Sequence, residues 1–134
     1  MLKNVILYID DDPDDRFFMS NAIKKTDSTL ILKEAESGKN AIEYLNQAKL
    51  AGDLPCLIIL DINIPVMDGM EIHKEIKKDT VLSKIPVIIF TTSVHPRDRN
   101  YWENENVEMI TKPPGYTELV DCIGSMLKPY IKRA

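Results

Sequence analysis

A chain of 134 residues, 44% apolar and 28% charged, has the length and composition of one globular domain with one core, so a single unit over residues 1–134 is expected, with no separate effector domain. A formal net charge of −4, with lysines and arginines scattered along the chain, argues against direct nucleic-acid binding, which needs clustered cations to neutralise phosphates. The apolar runs, such as those at 5–9 and 58–60, are too short to span a bilayer, and no signal-peptide pattern opens the chain, so a cytoplasmic protein that does not engage a membrane is expected. Cys56 in an apolar run and Cys122 in a helical stretch read as buried reduced thiols.

Runs rich in β-branched residues alternate with stretches of helical period, the signature of βαβ units around a parallel sheet. The first strand is expected over 4–9. Asp12 followed by Pro13 then opens helix 1, with Phe18, Ala22 and Ile23 facing the sheet and Phe17 beside that stripe, partly exposed. A second strand over 30–35 leads to Ser37, which caps helix 2. There Ala41, Leu45 and Ala48 recur at helical spacing until Gly52 stops the helix. The third strand, 56–61, and the fourth, 86–91, contain the continuous apolar runs of central strands covered on both faces. Between them, Pro65 precedes helix 3, with Ile72 and Ile76 inward and Lys74, Lys77 and Lys78 outward. Pro96 opens helix 4, where Tyr101 and Trp102 offer aromatic surface, the other reading being that they pack between helices. After a fifth strand over 107–111, helix 5 begins near Thr117, carries the stripe Leu119, Ile123, Met126 and Leu127, and ends at Pro129. This pattern predicts an α/β fold with a doubly wound, five-stranded parallel sheet.

Ligands of such sheets bind beyond the carboxyl ends of the strands. Strand 1 ends in Asp10, Asp11 and Asp12, strand 3 in Asp61, Ile62 and Asn63, strand 4 in Thr91, Thr92 and Ser93, and strand 5 in Thr111, Lys112 and Pro113. Carboxylates crowded on one rim repel one another unless a divalent cation neutralises them, and an all-oxygen site with room for water suits Mg²⁺. A carboxylate is also a competent nucleophile toward phosphorus. Metal, lysine and hydroxyl would then share the phosphoryl oxygens. Each group has a plainer reading: Asp12 as a helix cap, Asp14 and Asp15 as first-turn acids matched to the helix dipole, Lys112 as a surface lysine, and Thr91 as a strand-end hydroxyl bonding the backbone. His73 and His95 have no partners at ligand spacing and are expected to be exposed. Four strand ends carrying compatible groups favour the functional reading.

Four stretches, at 5–13, 59–71, 85–93 and 110–113, resemble the motifs of bacterial response regulator receiver domains, in order and at matching spacing. The resemblance covers essentially the whole chain, and the short form is similar to the single-domain regulators associated with phytochrome-type histidine kinases. It implies the (βα)5 flavodoxin-like fold with strand order 2-1-3-4-5. It makes Asp61 the phosphoacceptor, gives Asp10, Asp11, Asp61 and the backbone carbonyl of Asn63 to Mg²⁺, and makes Thr91 the switch hydroxyl and Lys112 the phosphate-contacting lysine. A cis Lys112–Pro113 bond is common in the family. The phosphodonor would be a sensor histidine kinase or a histidine phosphotransfer protein, with Phe17 at the docking surface. Output would pass through the face of helix 4, strand 5 and helix 5, where Tyr101 and Trp102 would contact a partner or a second copy. Such a chain promotes only its own phosphorylation and dephosphorylation, so it is not counted as an enzyme.

The family pattern is broken at Met109, where an aromatic switch residue is usual, and at Glu105-Asn106, which replaces a Gly-Ala pair. Methionine is long enough to fill the space an aromatic would take, but it defines less shape. Two other readings are an Asp-nucleophile phosphatase, whose Asp-x-Asp pattern Asn63 breaks, and a receiver-like docking module that is never phosphorylated. A calcium loop starting at Asp10 is excluded, because its sixth and twelfth positions hold Asp15 and Asn21 where glycine and glutamate are needed.

Overall fold

The computed structural model describes residues 4–92 and 94–131. Strands and helices alternate strictly: β1 (Val5–Ile9), α1 (Pro13–Thr26), β2 (Ile31–Ala35), α2 (Gly38–Ala51), β3 (Leu57–Leu60), α3 (Gly69–Lys77), β4 (Val87–Thr91), α4 (Pro96–Asn104), β5 (Glu108–Thr111) and α5 (Tyr116–Leu127). All strand pairs are parallel, in the order β2-β1-β3-β4-β5, so the chain reverses direction across the sheet beside β1 and β3. The register places Ile9 against Leu60 and Thr91 against Thr111, which brings the carboxyl ends of the strands to one rim.

Alternation along the strands sorts their side chains into two cores. On one face Leu7, Ile9, Ile58, Leu60 and Ile89 pack against Ala41 and Leu45 of α2, Ile72 and Ile76 of α3 and Trp102 of α4. On the other, Ile6, Tyr8, Ile59, Ile88 and Phe90 meet Met19, Ala22 and Ile23 of α1 and Ile123, Met126 and Leu127 of α5. Both central strands are covered on both sides, as their uninterrupted apolar sequences require. Truncating one of these buried side chains, Ile59→Ala for example, should cost about 2–5 kcal/mol.

The helix starts follow local chemistry. Asp12 accepts hydrogen bonds from the backbone N–H groups of Asp14 and Asp15, at 2.8 and 3.4 Å, with Pro13 in the first turn of α1. Ser37 caps α2, and Gly52 ends it at φ 70°, the left-handed conformation glycine adopts without penalty. The start of α3 lies later than Pro65 suggests: Asp68 is the cap, accepting from Glu71 N–H, and Gly69 is the first helical residue. Gly69 is needed there because a β-carbon would come within 2.6 Å of the Ile62 Cα. The loop between β3 and α3 thus closes back onto Ile62, the residue after Asp61.

Several sequence expectations are corrected. The strands are each one or two residues shorter than expected, and α5 begins at Tyr116. Met19, not Phe18, shares the inward face of α1 with Ala22 and Ile23, because those three positions recur at i, i+3 and i+4; Phe18 is 45% exposed. His73 is fully buried, whereas His95 is exposed and caps α4 by accepting from Arg97 N–H. Cys56 and Cys122 are not joined in a disulfide, and each is only partly buried. The Lys112–Pro113 bond is trans, as are all peptide bonds among the described residues. Ser93 lies outside the described residues.

Candidate phosphoacceptor site

Asp10 follows β1 directly and is fully buried. Its Oδ2 accepts from the Tyr8 hydroxyl at 2.5 Å and from Lys112 Nζ at 2.7 Å, while Oδ1 accepts from Asp12 N–H at 3.0 Å. Burial, followed by the Asp10 charge, pushes the Tyr8 phenol far above its usual range, so this hydroxyl stays protonated and donates. Arg16 Nη1 donates to the backbone carbonyl of Asp10 at 2.9 Å and so fixes the strand end from the α1 side.

Asp61 follows β3, the middle strand of the sheet, and is also buried. Its Oδ1 accepts from Asn63 N–H at 3.2 Å, and its Oδ2 lies 3.3 Å from Lys112 Nζ. Thr91 ends β4, with its Oγ1 accepting from Asn63 Nδ2 at 3.2 Å. Lys112 is anchored by its own N–H to the Thr91 carbonyl at 2.8 Å. Burial lowers the Lys112 pKa, but hydrogen bonds to Asp10 and Asp15 and the charges of Asp61 and Asp10 outweigh it, so the ammonium stays protonated beyond the usual lysine range.

Asp10, Asp11 and Asp61 each bring a carboxylate oxygen within 4.8 Å of the other two. Three hard oxygen donors at one point, with Asp11 exposed so that water can complete the shell, fit Mg²⁺. The sequence-derived residues Asp10, Asp11, Asp61, Thr91 and Lys112 thus come together, with Asn63 linking Asp61 to Thr91.

The sequence reading missed two participants. Asp15 Oδ2 accepts from Lys112 Nζ at 2.8 Å, a pair separated by 97 residues, and Tyr8 is a buried donor to Asp10. A cavity of about 390 Å³ opens beside them, lined by Tyr8, Asp15, Phe18, Lys112, Pro114 and Tyr116 among others.

The aromatic residues divide differently from expectation. Phe17 is 63% exposed and lies edge-on to Phe18, which in turn approaches Tyr116; Lys25 sits over the Tyr116 ring. Trp102 has no exposed surface, so the aromatic surface expected of it on α4 is absent. It belongs to a core cluster with His73 and Tyr101, in which the Tyr101 hydroxyl lies 2.8 Å from His73 Nδ1. Met109 is half-buried and packs on the same core from β5.

A twofold-wound parallel sheet with carboxylates, hydroxyl and lysine on its carboxyl rim defines a receiver-type protein, and the comparisons agree. The profile of the response regulator receiver domain matches residues 6–124, so the chain belongs to that family, the receivers of two-component systems. It is 29% identical over 117 residues to the probable methanogenesis regulatory protein FilR2 of Methanothrix harundinacea, covering 86% of this chain and 76% of that protein. It is 35% identical over 98 residues to the response regulator Rcp1 of Synechocystis, covering 70% and 65%. Among solved structures, the phosphorylated cyanobacterial phytochrome response regulator RcpA superposes with a TM-score of 0.87 at 26% identity, covering 99% of this chain and 97% of that one. The manganese-bound form of Rcp1 superposes with a TM-score of 0.82 at 27% identity, covering 98% and 96%. Other relatives are much longer, and the chain spans 23% of a probable cyclic di-GMP phosphodiesterase of Vibrio cholerae. Among the described residues no helix is long and apolar enough to cross a membrane.

Proposed function

We propose that this chain is a cytoplasmic response regulator that takes a phosphoryl group on Asp61 in a Mg²⁺-dependent reaction and signals through protein contacts. The observation that carries the reading is the approach of Lys112 Nζ to 3.3 Å from Asp61 Oδ2, beside three carboxylate oxygens within 4.8 Å of one another. Asp61 attacks the phosphorus of a phosphohistidine on a sensor kinase or phosphotransfer protein. A P–O bond forms, the P–N bond breaks, and the imidazole leaves with the electron pair and takes up a proton. Asp10, Asp11, Asp61 and the Asn63 carbonyl would hold Mg²⁺, which when bound draws charge from the phosphoryl oxygens. Lys112 donates to one phosphoryl oxygen and Thr91 to another after turning from Asn63. The chain itself ends each cycle with one modified aspartate, so its role is that of a signalling module and not an enzyme with turnover. Intact mass after incubation with acetyl phosphate and Mg²⁺ tests the reading: one hydroxylamine-labile phosphoryl group is expected, and none on Asp61→Asn. Full labelling of that variant, or multiple turnover of a free phosphomonoester, would defeat it.

A further inference from the structure

We infer that Asp15 is a positioning residue for Lys112, holding its ammonium at the phosphoryl site when Asp10 and Asp61 are engaged by a metal ion and a phosphoryl group. The inference rests on the reading of Asp61 as phosphoacceptor. A lysine ammonium has three N–H donors, and here all three point at carboxylates: Asp10 at 2.7 Å, Asp15 at 2.8 Å and Asp61 at 3.3 Å. Two of those acceptors belong to the acidic triad whose oxygens converge within 4.8 Å. A divalent cation shared by the triad would draw electron density from the same carboxylates and repel the nearby ammonium. Phosphorylation would also consume an Asp61 oxygen. Asp15 is the acceptor outside the triad and is untouched by either change.

Its placement suits that role. Asp15 sits in the first turn of α1, and its own N–H reaches the Asp12 carboxylate that caps the helix, so its backbone is fixed. Lys112 is fixed at its backbone by Thr91 but has a flexible four-carbon stem. The Asp15 contact keeps the tip of that stem at the rim, beside the cavity that both residues line. With Asp15 removed, a metal-loaded site would leave Lys112 free to sample other rotamers, and the phosphoryl oxygen would meet a less organised donor.

The test is a double-mutant cycle on the initial rate of Asp61 labelling by acetyl phosphate at saturating Mg²⁺, using the full chain, Asp15→Asn, Lys112→Ala and the double variant. Asp15→Asn should slow labelling at least about threefold with Lys112 present and have no further effect once Lys112 is gone. Asp15→Glu should recover part of the loss. The Mg²⁺ concentration for half-maximal rate should stay unchanged, and beryllofluoride affinity by calorimetry should follow the same non-additive pattern. Equal slowing in both lysine backgrounds, a shifted Mg²⁺ requirement, or unchanged or faster labelling by Asp15→Asn would each overturn the inference while leaving Asp61 as phosphoacceptor. A wild-type chain that takes no label would overturn both.

Discussion

The Tyr101 hydroxyl of α4 lies 2.8 Å from Nδ1 of His73 on α3, joining two helices through a hydrogen bond to a fully buried imidazole. Burial lowers the His73 pKa below its ordinary 6.5, Lys77 lowers it further, and Glu105, 3.9 Å from Nδ1, partly offsets both. The folded state therefore holds this ring neutral at pH values where the unfolded chain has begun to protonate it. Stability from His73 is complete above pH 6.5 and falls as pH drops toward the depressed folded value. Urea unfolding of the wild type should show a midpoint declining from about pH 7.5 to about pH 5.5, with a shallower decline in His73→Phe. Identical slopes in the two proteins would remove His73 as the cause.

Trp102 is the sole tryptophan and is wholly buried against His73 and Tyr101 on α4. If phosphorylation turns Thr91 away from Asn63 and shifts α4, beryllofluoride with Mg²⁺ should change Trp102 emission and hydrogen exchange in 96–104. Sedimentation would show whether the α4, β5 and α5 face also brings two copies together. With Met109 in place of an aromatic, the change should be smaller than an aromatic switch would give. Emission, exchange and sedimentation all indifferent to beryllofluoride would remove this face as the route of output.

Three converging carboxylates repel one another in the metal-free protein, so an ion bound only by the folded state should stabilise it. Mg²⁺ at a hundredfold excess over its dissociation constant should raise the melting temperature by about 5–10 °C. Asp11→Asn should weaken that response, since it removes one negative charge and replaces a carboxylate oxygen with a weaker amide oxygen. A melting temperature equal in Mg²⁺ and in EDTA would count against the site.

Tyr8→Phe deletes the 2.5 Å donor to buried Asp10 while keeping the ring in its core. Loss of one hydrogen bond to a buried carboxylate should destabilise the protein by about 1–3 kcal/mol, measured by urea unfolding. A neutral substitution would mean that Lys112 and Asp12 alone satisfy Asp10.

Phe17→Ala should change stability by less than about 0.5 kcal/mol, because the ring is 63% exposed. It should slow phosphotransfer from a cognate histidine-bearing partner while leaving acetyl phosphate labelling intact. Equal slowing of both reactions would mean that Phe17 acts on the Asp61 site itself and not as a docking contact.

Much of this structure is legible in the sequence because its signals are local. The continuous apolar strands, the caps at Asp12 and Ser37 and the stop at Gly52 depend on neighbours a few residues away. Phe18 reads as inward-facing in the sequence but is not, because one residue of helix is about 100° of rotation, enough to move a ring from core to surface. Asp15 reads locally as a complement to the helix dipole, and only the fold reveals its pairing with Lys112, 97 residues away. His73 reads as an isolated polar residue for the same reason, since Tyr101 lies 28 positions further on. Trp102 reads in the sequence equally as aromatic surface or as packing between helices, because a short, polar helix gives no clear apolar stripe to locate its inner face.

Among the described residues the sheet separates two cores with no side chain in common, and Asp61 stands at the end of the middle strand between them. On one flank it meets Lys112, which is tied to α1 through Asp15; on the other it meets Asn63, which is tied to Thr91 at the end of β4. If Asp61 takes a phosphoryl group as proposed, it would act as a fulcrum, because a change of charge there would bear on two arms at once, one reaching α1 through Lys112 and Asp15 and the other the end of β4 through Asn63. Sequence drift that retunes one arm need not disturb the other, so on that reading a surface that receives a signal and one that passes it on would be free to diversify at different rates.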